Sequence, residues 1–284
     1  MMDIYNAKDL TAQGVYQGMI TTEDREAVPD VAITVAGRPT YFSDKEGRFL
    51  FAAGNDGPFT VEKIERKGYE VMSPRLPYTA YGNRDTLKVV MRSQETPTQR
   101  EVREYGELLY NKAMEQEQQR LYGDAADTLI KRASLDEDNV RWQYEAGQYM
   151  HKYGDYRTAQ TFYNRAITKA KELYSEKNQY LALCYELYGD NYYVWRVWGE
   201  ESVMNYADAK NYYQQAGHYW YTLYGETNEH TASIYYKMAV CWMKLDNETN
   251  ALKALEKMLE VEKVLYGEFS PKYQQMIQEL RKLK

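Results

Sequence analysis

The residues of this sequence that could perform catalytic or metal chemistry are few and scattered. The three histidines, His151, His218 and His230, form no HExxH motif, and neither Cys184 nor Cys241 has an activating neighbour in the sequence. No glycine-rich loop precedes a helix in the way that phosphate binding requires. The sequence therefore predicts a protein that is not an enzyme and that holds no cofactor and no metal.

Other polar clusters have simpler structural interpretations. The acidic runs at 136–138 and 200–201 are typical of solvated turns and helix caps. The segment GNDG at 54–57 predicts a hairpin turn, because it lacks the alternating carboxylates of a calcium loop. Both cysteines fall within helical patterns, where a free cysteine packs as a small hydrophobe, so we expect no disulfide.

Aromatic side chains are the most unusual part of the composition, since the chain contains 30 tyrosines and five tryptophans. The densest cluster is NYYVWRVWGEES at 191–202, which includes Trp195, Arg196 and Trp198. Tryptophan, tyrosine and arginine dominate the binding energy of protein interfaces, but buried aromatics also fill helical cores. The position of this cluster among the surrounding helices and strands is needed to distinguish these two roles.

Charge and length limit the possible partners. The net charge is −6, and lysine and arginine are spread along the 284 residues, which argues against nucleic acid or an anionic membrane surface as the main partner. No apolar run approaches the roughly 20 residues that a transmembrane segment needs. The length suits about two domains, each with its own core.

The chain changes character near 96–99. Before this point, β-branched and aromatic runs alternate with turns at spacings of about ten residues, which predicts a small antiparallel β-sandwich. The predicted strands are 14–21, 31–37, 39–43, 48–53, 59–66 and 85–92. In the turn at 43–49, Asp44 can accept backbone hydrogen bonds and Gly47 can take a positive φ, so we expect a hairpin there; Gly68 predicts a sharp bend.

These residues resemble the carboxypeptidase regulatory-like domain over 15–92. The similarity rests on Gly18, the segment VPDVAITVAG, the turn at 43–49 and the pair Gly68-Tyr69. It implies a prealbumin-like sandwich that acts as a non-catalytic accessory module, often in bacterial cell-envelope proteins. The first residues carry no signal-peptide pattern, which predicts a cytoplasmic protein if the chain is complete as written. The resemblance instead favours a cell-envelope location with the signal removed.

After residue 98 the apolar period becomes 3.6 residues. Gly147 is small where two helices must cross, the segment 154–156 makes a turn, and Ala159, Tyr163 and Ala166 share one face of the next helix. Small residues around one large aromatic allow a helical hairpin to interlock with its neighbour. This pattern resembles the tetratricopeptide repeat.

Counting extends the repeat in both directions. A step of 33 residues back from Ala159 and Ala166 reaches Ala126 and Ala133. Forward, the same alanine-tyrosine pattern recurs, and a step of 42 then continues it to the last repeat. These forward positions are Ala209, Tyr213, Ala216, Ala251 and Leu255. The long repeats are similar to those of kinesin light chain, and 270–283 predicts a capping helix.

The sequence thus predicts a multi-domain α and β protein, in which a β-sandwich precedes an all-α tetratricopeptide-repeat solenoid. We expect an N-terminal extension at 1–13, the sandwich at 14–93 and a linker at 94–99. The repeats, about four helix pairs and a capping helix, fill 100–284.

The repeat count places eight extra residues in the aromatic cluster. Gly189 follows Gly147 by 42 residues, but Ala209 follows Ala159 by 50, so the insertion lies within repeat three. One interpretation is that the first helix runs on for two turns and that Trp195 and Trp198 pack inside. The other is that the insertion projects and that Trp195, Arg196 and Trp198 bind a partner.

Tetratricopeptide geometry supplies a second candidate surface, because the first helices of that family line a groove. The residues expected to face it are Arg141, Tyr144, Gln148, Lys152, Glu186, Asp190, Tyr193, Tyr236 and Lys244. They have neither uniform charge nor the lysine and asparagine pattern that clamps a C-terminal carboxylate. We therefore expect an interaction scaffold that binds a protein or peptide partner. The alternative is a cell-envelope protein whose aromatic surface binds a glycan or another small ligand.

Overall fold

The computed structural model describes residues 15–52, 58–80, 86–174, 177–195 and 203–269, together with Tyr273, Gln274, Ile277 and Gln278. This part of the chain divides into two compact units. The first comprises the residues up to Leu108 and Tyr174–Gln179, and the second comprises Leu109–Leu173 and the residues from Tyr180 onward.

The first unit contains two four-stranded sheets, with strand orders β4-β1-β8-β6 and β3-β2-β5-β7. The strands are β1 Val15–Thr22, β2 Ala32–Val35, β3 Thr40–Phe42, β4 Arg48–Ala52, β5 Phe59–Glu65, β6 Tyr69–Ser73, β7 Tyr78–Ala80 and β8 Leu87–Ser93. Ile20, Ile33, Val61, Val89 and Met91 are fully buried or nearly so, and form the core. The predicted β-rich N-terminal region is confirmed.

Strand direction differs from the prediction at one pair. β1 and β8 run parallel, with Ile20 opposite Val89, whereas the other strand pairs are antiparallel. A parallel pair needs a long connection, and here the chain between β1 and β8 supplies it by passing through the other sheet. The predicted antiparallel pairing thus holds for five of the six pairs of described strands and was wrong for β1 and β8.

The turn at 43–49 has the predicted chemistry but a different role. Asp44 Oδ1 accepts hydrogen bonds from the backbone nitrogens of Glu46 (3.0 Å) and Arg48 (2.7 Å), and Gly47 has φ 73°. However, β3 pairs with β2 whereas β4 pairs with β1. The turn therefore carries the chain from one sheet to the other, and the predicted hairpin was wrong.

Strands β6 and β7 were missed in the sequence because they are short and are separated by a segment that contains Pro74 and Pro77. Proline cannot donate to a strand ladder, so it interrupts the apolar pattern that predicts a strand. The expected turn at 54–57 lies outside the described residues.

Residues distant in sequence cover the edge of strand β3. The backbone nitrogen of Thr40 donates to the carbonyl of Lys177 (2.9 Å), and Thr40 forms a parallel bridge with Asn178. The backbone nitrogen of Phe42 donates to Gln179 Oε1 (3.3 Å). This contact blocks an edge that would otherwise be free to pair with another chain.

Helices form the rest of the described chain, and they alternate with short turns. They are α1 Pro97–Gln118, α2 Tyr122–Leu135, α3 Val140–Lys152, α4 Tyr156–Leu173, α5 Gln179–Val194, α6 Val203–Tyr224, α7 Glu229–Lys244 and α8 Glu248–Tyr266. Beyond them, Tyr273 and Ile277 are helical and pack against the core of α7 and α8. The other residues of the predicted cap at 270–283, apart from Gln274 and Gln278, lie outside the described residues.

Helix α1 begins inside the predicted linker at 94–99. Thr96 and Gln99 form a capping box, since the nitrogen of Gln99 donates to Thr96 Oγ1 (3.2 Å) and the nitrogen of Thr96 donates to Gln99 Oε1 (2.9 Å). Pro97 occupies the first helical position, where its missing N–H costs nothing. The sequence TPTQ at 96–99 therefore forms the N-terminus of α1.

The first repeat is offset from the second by 34 residues, not 33. Helices α2 and α4 begin at Tyr122 and Tyr156, which are 34 apart. This places Ala125, fully buried, in the position of Ala159, so the predicted match to Ala126 was wrong. The position of Ala166 is taken by Arg132.

Arg132 is a buried cation in the first pair of repeats. Its side chain is 1% exposed, and its guanidinium lies between the rings of Tyr110 (4.8 Å) and Trp142 (4.7 Å). Glu145 bonds Arg132 Nη1, and its other oxygen accepts from Arg141 Nε (3.0 Å). One carboxylate thus bridges two buried guanidinium groups.

Candidate functional site

The crossing of α5 and α6 fixes the position of the candidate site. A methyl group at Gly189 would lie 2.6 Å from the ring of Tyr213, and one at Gly147 would lie 2.7 Å from the ring of Tyr163. The interpretation that Gly147 is small because two helices cross there is confirmed. Each glycine admits an aromatic ring, and the ring of Tyr213 in turn carries a hydroxyl towards α5.

A polar network joins α5, α6 and α7. Tyr213 OH donates to Asp190 Oδ1 (2.8 Å), and Trp220 Nε1 donates to Glu186 Oε2 (2.9 Å). Lys237 Nζ bridges the two carboxylates, 2.8 Å from Glu186 Oε1 and 2.9 Å from Asp190 Oδ2. Two predicted groove residues, Glu186 and Asp190, are therefore brought together by a lysine that the sequence analysis did not select.

The carboxylates in this network outnumber its ammonium groups. Burial opposes the charged form of Lys237, but Glu186 and Asp190 together outweigh burial and raise its pKa. The lysine is therefore a fixed cation, and two carboxylates face one ammonium group. The Asp190 side chain is 31% exposed, so part of the excess negative charge is accessible from solvent.

His230 stacks on the network from α7. Its ring lies parallel to that of Trp220, with centroids 3.7 Å apart and an interplanar angle of 7°. Burial lowers the pKa of His230 below its ordinary 6.5, and Lys237 lowers it further while Glu186 raises it. The neutral imidazole is therefore the form that the folded repeats favour.

We expect His230 to make the stability of the repeats dependent on pH. Because the folded pKa of His230 lies below 6.5, the unfolded chain binds a proton at higher pH than the folded chain does. The contribution of His230 to stability is therefore fully present above about pH 6.5 and declines as pH falls. The loss reaches at most about 1.4 kcal/mol for each pH unit below about 6.5. Urea unfolding followed by tryptophan fluorescence at pH 7.5, 6.5 and 5.5 measures it.

His230→Phe should keep the ring stack and remove most of this pH dependence. His218→Gln is the matched control, since His218 is exposed on α6. An unchanged pH slope in the His230→Phe variant would mean that another group causes the loss.

The predicted groove residues of α3 have mixed surroundings. Arg141 is 7% exposed and bonded to Glu145, so it is not accessible to a ligand. Tyr144 is half-buried, 6.0 Å from the ring of Tyr180, and Gln148 is exposed. The Lys152 ammonium pairs with Glu117 of α1, which links the first helices of two successive repeats.

The remaining predicted groove residues lie on α5 and α7. The ring of Tyr193 is 5.5 Å from that of Tyr206 on α6, and Lys244 Nζ is 5.6 Å from the centre of the same Tyr206 ring. The structure thus places Tyr193 and Lys244 around one buried ring. Tyr236 is 48% exposed.

The aromatic insertion begins directly after α5. The helix ends at Val194, so the expectation that it continues for two more turns through Trp195 was wrong. Trp195 is half-buried, 6.0 Å from the ring of Tyr192, and its carbonyl accepts a hydrogen bond from Asn205. Arg196 and Trp198 lie outside the described residues.

An apolar stripe on α5 was not predicted from the sequence. Leu183, Leu187 and Val194 are half-buried and share one face of the helix with Asp190, because their spacing of 4, 3 and 4 residues follows the helical period. Glu186 and Tyr193 lie beside this stripe and contact Trp220, Lys237 and Tyr206 of α6 and α7. Asp190 also bonds α6 and α7, through Tyr213 and Lys237. The spacing of these apolar residues was the available signal.

Nucleophilic and metal chemistry find no support in this region. Cys184 and Cys241 are free and buried, and burial raises the pKa of both thiols, that of Cys241 to about 12. Among the residues that the structure describes, no three His, Cys, Asp or Glu side chains are grouped as metal ligands. None of the helices in the described ranges has the length and apolarity of a membrane span.

Comparison with known proteins gives limited similarity. No protein-family model matches the chain, and no curated protein does. BtubC from P. vanneervenii is 17% identical, with a TM-score of 0.46, over 66% of this chain and 84% of that one. MamA from Desulfovibrio magneticus RS-1 is 17% identical, with a TM-score of 0.42, over 56% of this chain and 76% of that one. Scores in this range do not establish a shared function.

Proposed function

We propose that this chain is a non-catalytic scaffold that binds a protein or peptide partner across the first helices of its repeats. The observation that carries the proposal is the half-buried apolar stripe of Leu183, Leu187 and Val194 on α5. A helix face in contact with water usually carries polar residues, and accessible apolar patches mark binding surfaces.

The arrangement of the first helices supports a continuous surface. Lys152 of α3 pairs with Glu117 of α1, His151 Nδ1 lies 3.2 Å from Asn191 Oδ1 of α5, and Lys237 of α7 bridges the carboxylates of α5. Successive first helices are therefore neighbours, as in the tetratricopeptide repeats that the sequence resembles. Tyr144, Gln148 and Tyr236 line this surface in the proposal. The insertion with Trp195, Arg196 and Trp198 is a second proposed contact.

Three of the four described tryptophans give less support to a glycan-binding surface. A sugar stacks on the open face of an aromatic ring, but Arg132 lies over Trp142, His230 over Trp220 and Lys210 over Trp242. These rings already have intramolecular partners on one face. Protein binding is therefore the preferred function.

Site-specific photocrosslinking in native cells tests the proposal. A benzoylphenylalanine in place of Tyr236 or Leu187 should form a covalent adduct with a discrete partner band. The same residue in place of Trp198 tests the insertion separately. Thr161, exposed on α4, is the matched control position.

The proposal is tested by comparing which substituted positions form crosslinked adducts. Adducts from 187 or 236 that are absent from 161 support binding across the first helices. Equal adducts at all positions, or adducts only from 161, would contradict it.

A further inference from the structure

The charged residues beside the apolar stripe indicate the chemistry of the partner. Asp190 lies on the same face of α5 as Leu187 and Val194, and its carboxylate shares Lys237 with Glu186. The network therefore has two negative charges and one positive charge. Lys244, the next cation on α7, lies seven residues further on, roughly 10 Å along the helix, against Tyr206.

We infer that the surface of α5 binds an amphipathic helix of another protein that places a lysine or arginine against Asp190. This inference rests on the proposed function. The face places apolar side chains above and below Asp190, whose carboxylate is 31% exposed and already bonds Tyr213 and Lys237. A matching ligand therefore alternates apolar and basic positions in the same order, and its cation adds to the charges around this carboxylate. The overall charge of −6 also favours encounter with a basic segment.

Spacing fixes the length and pattern of the ligand. The stripe from Leu183 to Val194 covers 11 residue steps, or about 16 Å of helix. A helix of three to four turns spans this distance and presents side chains at intervals of 4, 3 and 4 residues. Apolar side chains pack on Leu183, Leu187 and Val194, and the cationic side chain reaches Asp190, as in other helix-in-groove complexes.

Selection from a displayed library tests the inference without a known partner. The probe is a phage library of 16-residue helical peptides, randomised at four positions spaced 4, 3 and 4 apart. It is selected on the full chain and counter-selected on Leu187→Asp. Because that substitution could unfold α5, Tyr236→Asp, at a half-exposed site, serves as a second counter-selection variant.

The expected result is enrichment of three apolar residues and one lysine or arginine. Affinity of these peptides should fall about 10-fold or more in Asp190→Asn, because a hydrogen bond to a charged group is lost. It should stay within twofold in Asp124→Asn, a matched change at an exposed position on α2.

Three outcomes are distinguishable. Basic peptides that depend on Asp190 support the inference. Peptides that depend on Leu187 or Tyr236 but carry acidic or neutral residues overturn the basic partner and leave the scaffold function standing. If neither counter-selection variant removes any binder, the inference and binding across α5 both fail.

Discussion

Replacing Glu145 with glutamine is expected to destabilise the helical repeats by about 3 to 5 kcal/mol, because it leaves two buried guanidinium groups without their shared carboxylate. Arg132 is 1% exposed and Arg141 is 7% exposed, so solvent cannot take over the role of Glu145. Cation–π contact with Tyr110 and Trp142 remains in the variant but does not neutralise charge. Chemical denaturation followed by tryptophan fluorescence measures the change, because every tryptophan lies after residue 140.

Two further variants isolate the buried charge as the cause. Glu260→Gln removes an exposed partner of Lys257 and should leave the stability nearly unchanged, because solvent screens an exposed ion pair. Replacing Arg132, Arg141 and Glu145 together with apolar residues should recover much of the loss, since it removes both buried cations along with their shared carboxylate. A triple variant as unstable as Glu145→Gln would mean that packing, not charge, sets the cost.

Gly189→Ala is expected to destabilise the repeats by about 1 to 3 kcal/mol, although alanine is the better helix former by about 1 kcal/mol. The new methyl would lie 2.6 Å from the ring of Tyr213 and 3.2 Å from the carbonyl of Ala209. Tyr213 is 2% exposed and bonded to Asp190, so the ring has little freedom to move. Thermal unfolding measures the shift.

The repeats themselves indicate how to rescue this variant. In repeat four, Ala239 and Leu255 occupy the positions of Gly189 and Tyr213, and both are buried. Adding Tyr213→Leu to Gly189→Ala should therefore restore part of the lost stability. Gly123→Ala is the control, because a methyl at Gly123 meets nothing within 4 Å and should be neutral or stabilising. Equal losses at Gly123 and Gly189 would contradict the steric explanation.

The helix crossings were predictable from the sequence because they depend on local size. A glycine on the first helix and a tyrosine between two alanines on the second identify the crossing without any knowledge of neighbouring repeats. Repeat one lacks this signal, since the position of Tyr163 is taken by Leu129 and that of Ala166 by Arg132. Its offset was therefore misassigned by one residue. A buried arginine is rare enough that its aromatic and acidic neighbours could not be identified from spacing alone.

The candidate surface was predicted only in part for a similar reason. Counting from Gly147 selects positions on the first helices, but the same count cannot tell a face that meets solvent from one that meets the next repeat. Glu186, Asp190 and Tyr193 turned out to contact α6 and α7, whereas Leu187 and Val194 were not selected in the sequence. The polar contacts of this face come from Lys237 of α7, which is 51 residues from Glu186 and 47 from Asp190 in the sequence.

The covered edge of β3 has a consequence for protein synthesis. Phe42 is 137 residues away from Gln179, whose side chain bonds its backbone nitrogen. At 5 to 20 residues per second, a ribosome needs roughly 7 to 27 seconds to travel between them. The nascent chain therefore emerges with the outer edge of β3 uncovered for many seconds. Any cellular factor that protects this chain from aggregation must act during that interval, before α5 is translated.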